Sequence, residues 1–209
     1  MVTYPWWFVC PYCLVKYYQA SPRLFVCPGD KGTSEFTLSK AGLSTNVKLA
    51  DVWDFGPWAV SSQSCSFAYH QPYGQYALTM TRDPNLAVAA DRSPWIASPA
   101  AAPAPRASFT PDITGYSGGT AETARAGNAI SHGRDGQNVL FLDGRVDFAT
   151  RSYCGVKRDN IYLLSISNSE GSVVGDVPTM YFAQPANARD SALVHDPYGV
   201  DFSMPTSRD

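Results

Sequence analysis

Four side chains in one short segment, His132, Asp135, Asp143 and Asp147, are of the types that ligate metals or exchange protons. Gathered by the fold, three carboxylates and an imidazole would make a metal site or an acid/base cluster. The spacing opposes that. A calcium ion needs six to eight oxygen ligands, and Asp143-Gly144 between two apolar runs predicts a hairpin that carries the carboxylates apart. The residues therefore favour an architectural role, in which Asp143 makes the turn and His132 hydrogen-bonds to loop backbone. No catalytic, cofactor-binding or metal-ligating residue is expected.

The thiols supply a second candidate chemistry. Cys10-Pro11-Tyr12-Cys13 resembles the dithiol motif of glutaredoxins, and Val177-Pro178-Thr179 resembles the proline loop that faces it. In a thioredoxin-like domain of about 100 residues the motif sits at a strand-to-helix junction; here the proline lies far down the chain in a polar setting. A zinc site on Cys10, Cys13 and Cys27 lacks a second CxxC. Ser131 beside His132 has no GxSxG elbow, Gly29 to Ser34 misses the phosphate-loop spacing, and His70 and His195 read as lone structural histidines. Trp53, Phe55 and Trp58, like Tyr69 to Tyr76, could stack on a sugar or peptide but read first as core.

The elements that must position these groups follow from the apolar pattern. The segment Ser131 to Phe148 predicts a hairpin over 137–150. In its first strand Asn138, Leu140 and Leu142 share one face and Val139 and Phe141 the other, as suits a central strand; Val146 and Phe148 make the second strand half-buried. The Asp143-Gly144 turn is expected to need positive φ angles. Further expectations are a helix near 12–19, strands near 23–27, 64–70 and 86–91, and a helical turn around Ala50 to Trp53. Asn160 to Leu164 and Ser191 to His195 are the apolar stretches of the C-terminal third. The run Ser98-Pro-Ala-Ala-Ala-Pro-Ala-Pro-Arg106 predicts a loop excursion over 97–128, and residues 197–209 are expected to fray.

Composition sets the class. Charged residues are 16% of the chain, against 16 glycines and 16 prolines, which predicts a turn-rich α+β fold with a mainly antiparallel sheet and long irregular loops. Nothing in the sequence separates two cores, so residues 1–209 are read as one domain. A net charge of −2 without a Lys/Arg cluster argues against nucleic-acid binding. No run of 18 to 20 apolar residues is present, and Met1 to Cys10 lacks the features of a secretory signal.

His132, ten residues and then Asp143-Gly144, with Gly136-Gln137-Asn138 leading into the apolar strand, resembles the signature of the prepilin-type processing-associated H-X9-DG family. The spacing of ten instead of nine is absorbed within a Gly-rich loop. Leu24 to Asp30, Cys65 to Tyr73, Leu86 to Trp95, Tyr153 to Tyr162 and Arg189 to Asp196 resemble segments of the same proteins in the same order. The resemblance implies a pilin-like globular head without catalysis, linked to type II secretion or type IV pilus-like assembly. It also implies an extracytoplasmic location and pilin-like subunits or envelope proteins as partners. The membrane would be met only through an N-terminal helix that these residues do not include. His132, Gly136, Asn138, Asp143 and Gly144 would be structural motif residues, and calcium is the one ion that pseudopilin relatives suggest. A disulfide among Cys27, Cys65 and Cys154 is implied without fixing the pair; reduced, buried cysteines are the equal alternative. Other expectations are a secreted or surface carbohydrate- or protein-binding module, and a thiol-redox protein using Cys10 and Cys13.

Overall fold

The structure, a computed structural model, describes residues 9–52, 54–55, 63–94, 121–165, 175–176 and 184–194. A helix α1 (Val9–Tyr18) opens it. A four-stranded antiparallel sheet follows from β1 (Phe67–Tyr69), β2 (Ala87–Asp91), β3 (Gln137–Phe141) and β4 (Val146–Ala149), in that order across the sheet. A short helix α2 (Ala121–Ala126) lies between β2 and β3 in the chain, and β5 (Leu164–Ser165) pairs with β6 (Gly175–Asp176). The result is a mixed, β-rich fold. No helix among the described residues is long and apolar enough to cross a membrane.

The sheet buries one face. Along β3, Gln137, Val139 and Phe141 are buried while Asn138 and Leu140 are exposed, the two-residue period of a strand covered on one side. Val139 and Phe141 pack with Ala68, Ala87, Ala90, Ile161, Tyr162 and Leu193. β3 is central, as expected, but its second apolar face is open. β4 departs from expectation: Val146 is 62% and Phe148 51% exposed, because they pair with Leu140 and Asn138 on the uncovered face. Among the described residues no element covers that side of the edge strand.

A second cluster gathers Tyr12 and Val15 of α1 with Phe25, Phe36, Val52, Phe55 and Cys65. Tyr12 meets Phe55 edge-on at 5.0 Å and Phe36 at 5.8 Å, and Phe25 lies 4.8 Å from Phe55. Such ring pairs add about 0.5–1.5 kcal/mol each beyond the area they bury. The Tyr12 hydroxyl donates to the Leu49 carbonyl at 3.0 Å, tying α1 to a 3₁₀ turn at Leu49–Asp51 where a helical turn was expected. β1 lies between the clusters, since alternation sends Ala68 to the first and Phe67 to the second.

Other expectations need correction. Residues 23–27 are no strand; Pro22–Phe25 forms a 3₁₀ turn because Pro22 presets its first φ angle and the Ser21 hydroxyl caps it by accepting from the Arg23 amide. The excursion over 97–128 lies outside the described residues as far as 120, but its end is α2, where alanine-rich sequence favours helix and Ala124 is buried. At the hairpin only Gly144 has positive φ, at +86°, so Leu142-Asp143-Gly144 is a three-residue loop in which glycine alone takes the left-handed position. Ser98 to Arg106, His195 and residues 197–209 are outside the described residues, as are Trp53, Trp58 and Val177 to Thr179.

Candidate functional site

The groups singled out in the hairpin segment separate. Asp135 pairs with Arg125 at 2.7 Å, while Asp143 and Asp147 both pair with Arg145, at 2.9 and 2.7 Å. None of these carboxylates is part of the cluster that His132 joins. Gly136 leads into β3 beside the Ala149 carbonyl, and Asp143 and Gly144 close the hairpin. His132 and Asn138 instead meet two residues from distant parts of the chain, Cys27 and Asp91.

Each partner is brought by its own local structure. Cys27 ends the segment after the 3₁₀ turn, and the Phe25 carbonyl accepts from the Ser66 amide at 2.8 Å, which docks that segment on the start of β1. A turn then follows at Pro28-Gly29-Asp30, with the Asp30 amide donating to the Cys27 carbonyl. Asp91 closes β2, and the Tyr162 hydroxyl donates to its carbonyl at 2.8 Å. Beyond the Ala90–Val139 pair the ladder of β2 with β3 stops, and the Asp91 carboxylate accepts the Asn138 amide at 2.7 Å. His132 closes a 3₁₀ turn at Ile130–His132 that Gly133 terminates in the left-handed conformation.

All the contacts meet at one imidazole nitrogen. His132 Nε2 lies 3.0 Å from Asp91 Oδ2, 3.6 Å from Cys27 Sγ and 3.2 Å from Asn138 Nδ2. Asn138 Nδ2 also donates to Asp91 Oδ2 at 3.2 Å, and the Phe148 ring stands edge-on to the imidazole at 5.8 Å. Asp91 and Cys27 are buried, and the His132 side chain is 29% exposed, so the cluster opens to solvent on the imidazole side. Burial pushes the Asp91 carboxyl up from its ordinary value, opposed by the Asn138 amide and the His132 charge. The Cys27 thiol is pushed up by burial too, against main-chain hydrogen bonds from Gly29 and Asp30.

This is not the order of a nucleophilic relay. A thiol–imidazole–carboxylate triad places the nucleophile on one ring nitrogen and the carboxylate on the other; here both face Nε2. The fit around the His132 turn is close: a Cβ at Gly29 would stand 2.3 Å from the Ser131 carbonyl oxygen and 3.4 Å from His132 Nδ1. Gly29→Ala is expected to push that turn away and cost about 1–3 kcal/mol, measured by thermal melting, with a shifted His132 imidazole resonance.

The cysteines named as a disulfide pool stand apart, with none bridged to another. The Cys65 sulfur approaches the Phe67 carbonyl and that of Cys154 the Ser152 carbonyl; burial pushes these thiols up to about 11 and about 12. Cys10 and Cys13 fall within α1. His70 is buried and donates from Nδ1 to the Gln71 carbonyl at 2.8 Å. His132 and Asn138 were legible as candidates. No motif in the sequence marks Asp91, and Cys27 reads there only as a member of a disulfide pool or of a CxxC zinc site. Their one signal is placement at the ends of apolar segments.

No protein-family model, curated protein or solved structure matches this chain.

Proposed function

We propose that this chain is the non-catalytic globular head of a prepilin- or pseudopilin-like envelope protein, linked to type II secretion or type IV pilus-like assembly and facing the periplasm or cell exterior. The observation that carries the reading is how the motif residues are used. His132 Nε2 meets both Asp91 and Cys27 and the Asn138 N–H groups meet Asp91, fastening the hairpin to the end of β2 and to the N-terminal segment. Side chains so engaged serve architecture. The uncovered face of the hairpin, with Leu140, Val146 and Phe148 exposed in neighbouring cross-strand positions, suits packing against other pilin-like subunits or envelope proteins.

The test is to follow the native protein with an antibody to this head in cells with and without active prepilin peptidase. An envelope-associated protein that accumulates as a heavier precursor when the peptidase is inactive is the expected result. A cytosolic protein of unchanged mass in both strains would overturn the reading.

A further inference from the structure

We propose that Cys27, Asp91 and His132 are the three protein ligands of a divalent transition-metal ion of the zinc class, with the fourth position on the solvent side of the imidazole. The proposal is independent of the envelope reading. Its first support is geometric: one donor atom from each residue lies within 4.8 Å of the others. Bond lengths of about 2.0–2.3 Å in a tetrahedral zinc site place neighbouring donors roughly 3.3–3.7 Å apart. The Cys27–His132 separation of 3.6 Å already matches, and the Asp91–His132 separation of 3.0 Å needs to open by only a few tenths of an ångström.

Chemistry selects the ion. Thiolate, imidazole and carboxylate together suit zinc or cobalt, whereas calcium and magnesium require all-oxygen shells that these residues do not supply. With thiolate and carboxylate ionised and imidazole neutral, the ligands carry two negative charges, matching a divalent cation.

A second, independent observation is an orphaned atom. Among the described residues the Oδ1 oxygen of Asp91, in a side chain with no solvent exposure, has no hydrogen-bond partner. A buried carboxylate with one oxygen left unsatisfied is costly, and a cation beside it offsets that cost. The surrounding groups have the character of a metal site's outer shell. Asn138 holds Asp91 through its main-chain and side-chain N–H groups, and the amides of Gly29 and Asp30 hold the Cys27 sulfur. The ligands come from three separated segments, so the ion would clasp the N-terminal turn, β2 and the turn before β3.

The experiment uses the full chain, stripped with a chelator and titrated with zinc in competition with a chromophoric indicator, then with cobalt for spectroscopy. One equivalent of zinc per chain, a raised melting temperature and a thiolate-to-cobalt charge-transfer band are expected. Cys27→Ser should abolish the band, and His132→Gln should weaken zinc binding at least about tenfold. Asn138→Ala, which touches only the outer shell, should weaken it roughly 10–100-fold. The double variant Cys10→Ser/Cys13→Ser should keep the full equivalent. Near-UV circular dichroism of each stripped variant reports folding; His132→Gln, altering the partly exposed ligand, decides the matter if the buried variants do not fold. Less than a tenth of an equivalent bound by the parent chain, unchanged affinity in folded His132→Gln, or loss of binding in the Cys10/Cys13 variant would overturn the proposal.

Discussion

Asp30→Ala is expected to destabilise the fold by about 3–5 kcal/mol, measured by urea denaturation, because it removes a buried carboxylate that faces the buried Arg92 guanidinium. Arg92 Nη2 lies 3.0 Å from Asp30 Oδ2, with both side chains almost wholly removed from solvent. The same nitrogen donates to the Thr33 hydroxyl and the Cys65 carbonyl, each at 2.8 Å, and Thr33 in turn donates to Asp30 at 2.7 Å. Burial lowers the Arg92 pKa from its ordinary value, and Asp30 is the largest influence opposing it. Without Asp30 the guanidinium keeps the desolvation cost and loses the largest influence that opposes it. In a domain of ordinary stability, about 5–15 kcal/mol, that loss is a large fraction of the whole.

The companion double variant separates pairing from packing. Asp30→Ala/Arg92→Met removes both charges while retaining a long apolar side chain, and it is expected to recover most of the lost stability. A loss below 1 kcal/mol for Asp30→Ala, the range of exposed ion pairs, would mean that water reaches Arg92 and that the pair is not buried in solution.

Neither partner of this pair was picked out from the sequence, and the reason is physical. Asp30 reads as a turn residue after Pro28-Gly29, and it is one: its amide and carbonyl close successive turns with Cys27 and Thr33. Its second role depends on where Arg92 arrives after β2, which is a property of the chain path. The same holds for the candidate site. Cys27 and His132 are 105 positions apart, and Asp91 and Asn138 are 47 apart, so only the folded sheet brings them together. The hairpin was legible because its information is local, in an Asp-Gly between alternating runs. The burial of its faces was not. Leu140, Val146 and Phe148 carry an apolar pattern that fits a covered sheet as well as an uncovered one, and covering is decided by elements elsewhere in the chain. Over 23–27 apolar content suggests a strand, whereas the Ser21 cap and Pro22 form a 3₁₀ turn at Pro22–Phe25.

Acidification provides the second large effect, with a buried imidazole and a buried carboxyl pair pulling in opposite directions. Burial lowers the His70 pKa to about 4, and nearby Arg82 acts the same way, although carbonyl acceptors at Gln71 and Asp190 oppose it. The fold therefore prefers neutral His70. Its contribution is fully present above the unfolded value near 6.5, is lost as pH falls toward 4, and amounts to about 3 kcal/mol over that window. The Asp159–Asp190 pair has the opposite sign. Burial raises both carboxyls, Asp190 to about 6, and their mutual repulsion adds to the shift of Asp159. Stability from these protonated acids is present below the ordinary carboxyl value near 3.8 and is lost as pH rises through about 6. Across pH 4 to 6.5 the contributions offset each other, so the parent protein should show a shallow pH profile. His70→Asn, which keeps a donor near the Nδ1 position, should expose the carboxyl pair and become steadily more stable toward pH 4. Asp159→Asn/Asp190→Asn, which removes both buried carboxyls, should reveal the histidine and become less stable over the same range. Urea midpoints measured at pH 4, 5, 6 and 7 for the three proteins give the slopes, and parallel profiles for His70→Asn and the parent would show that His70 is not held neutral by burial.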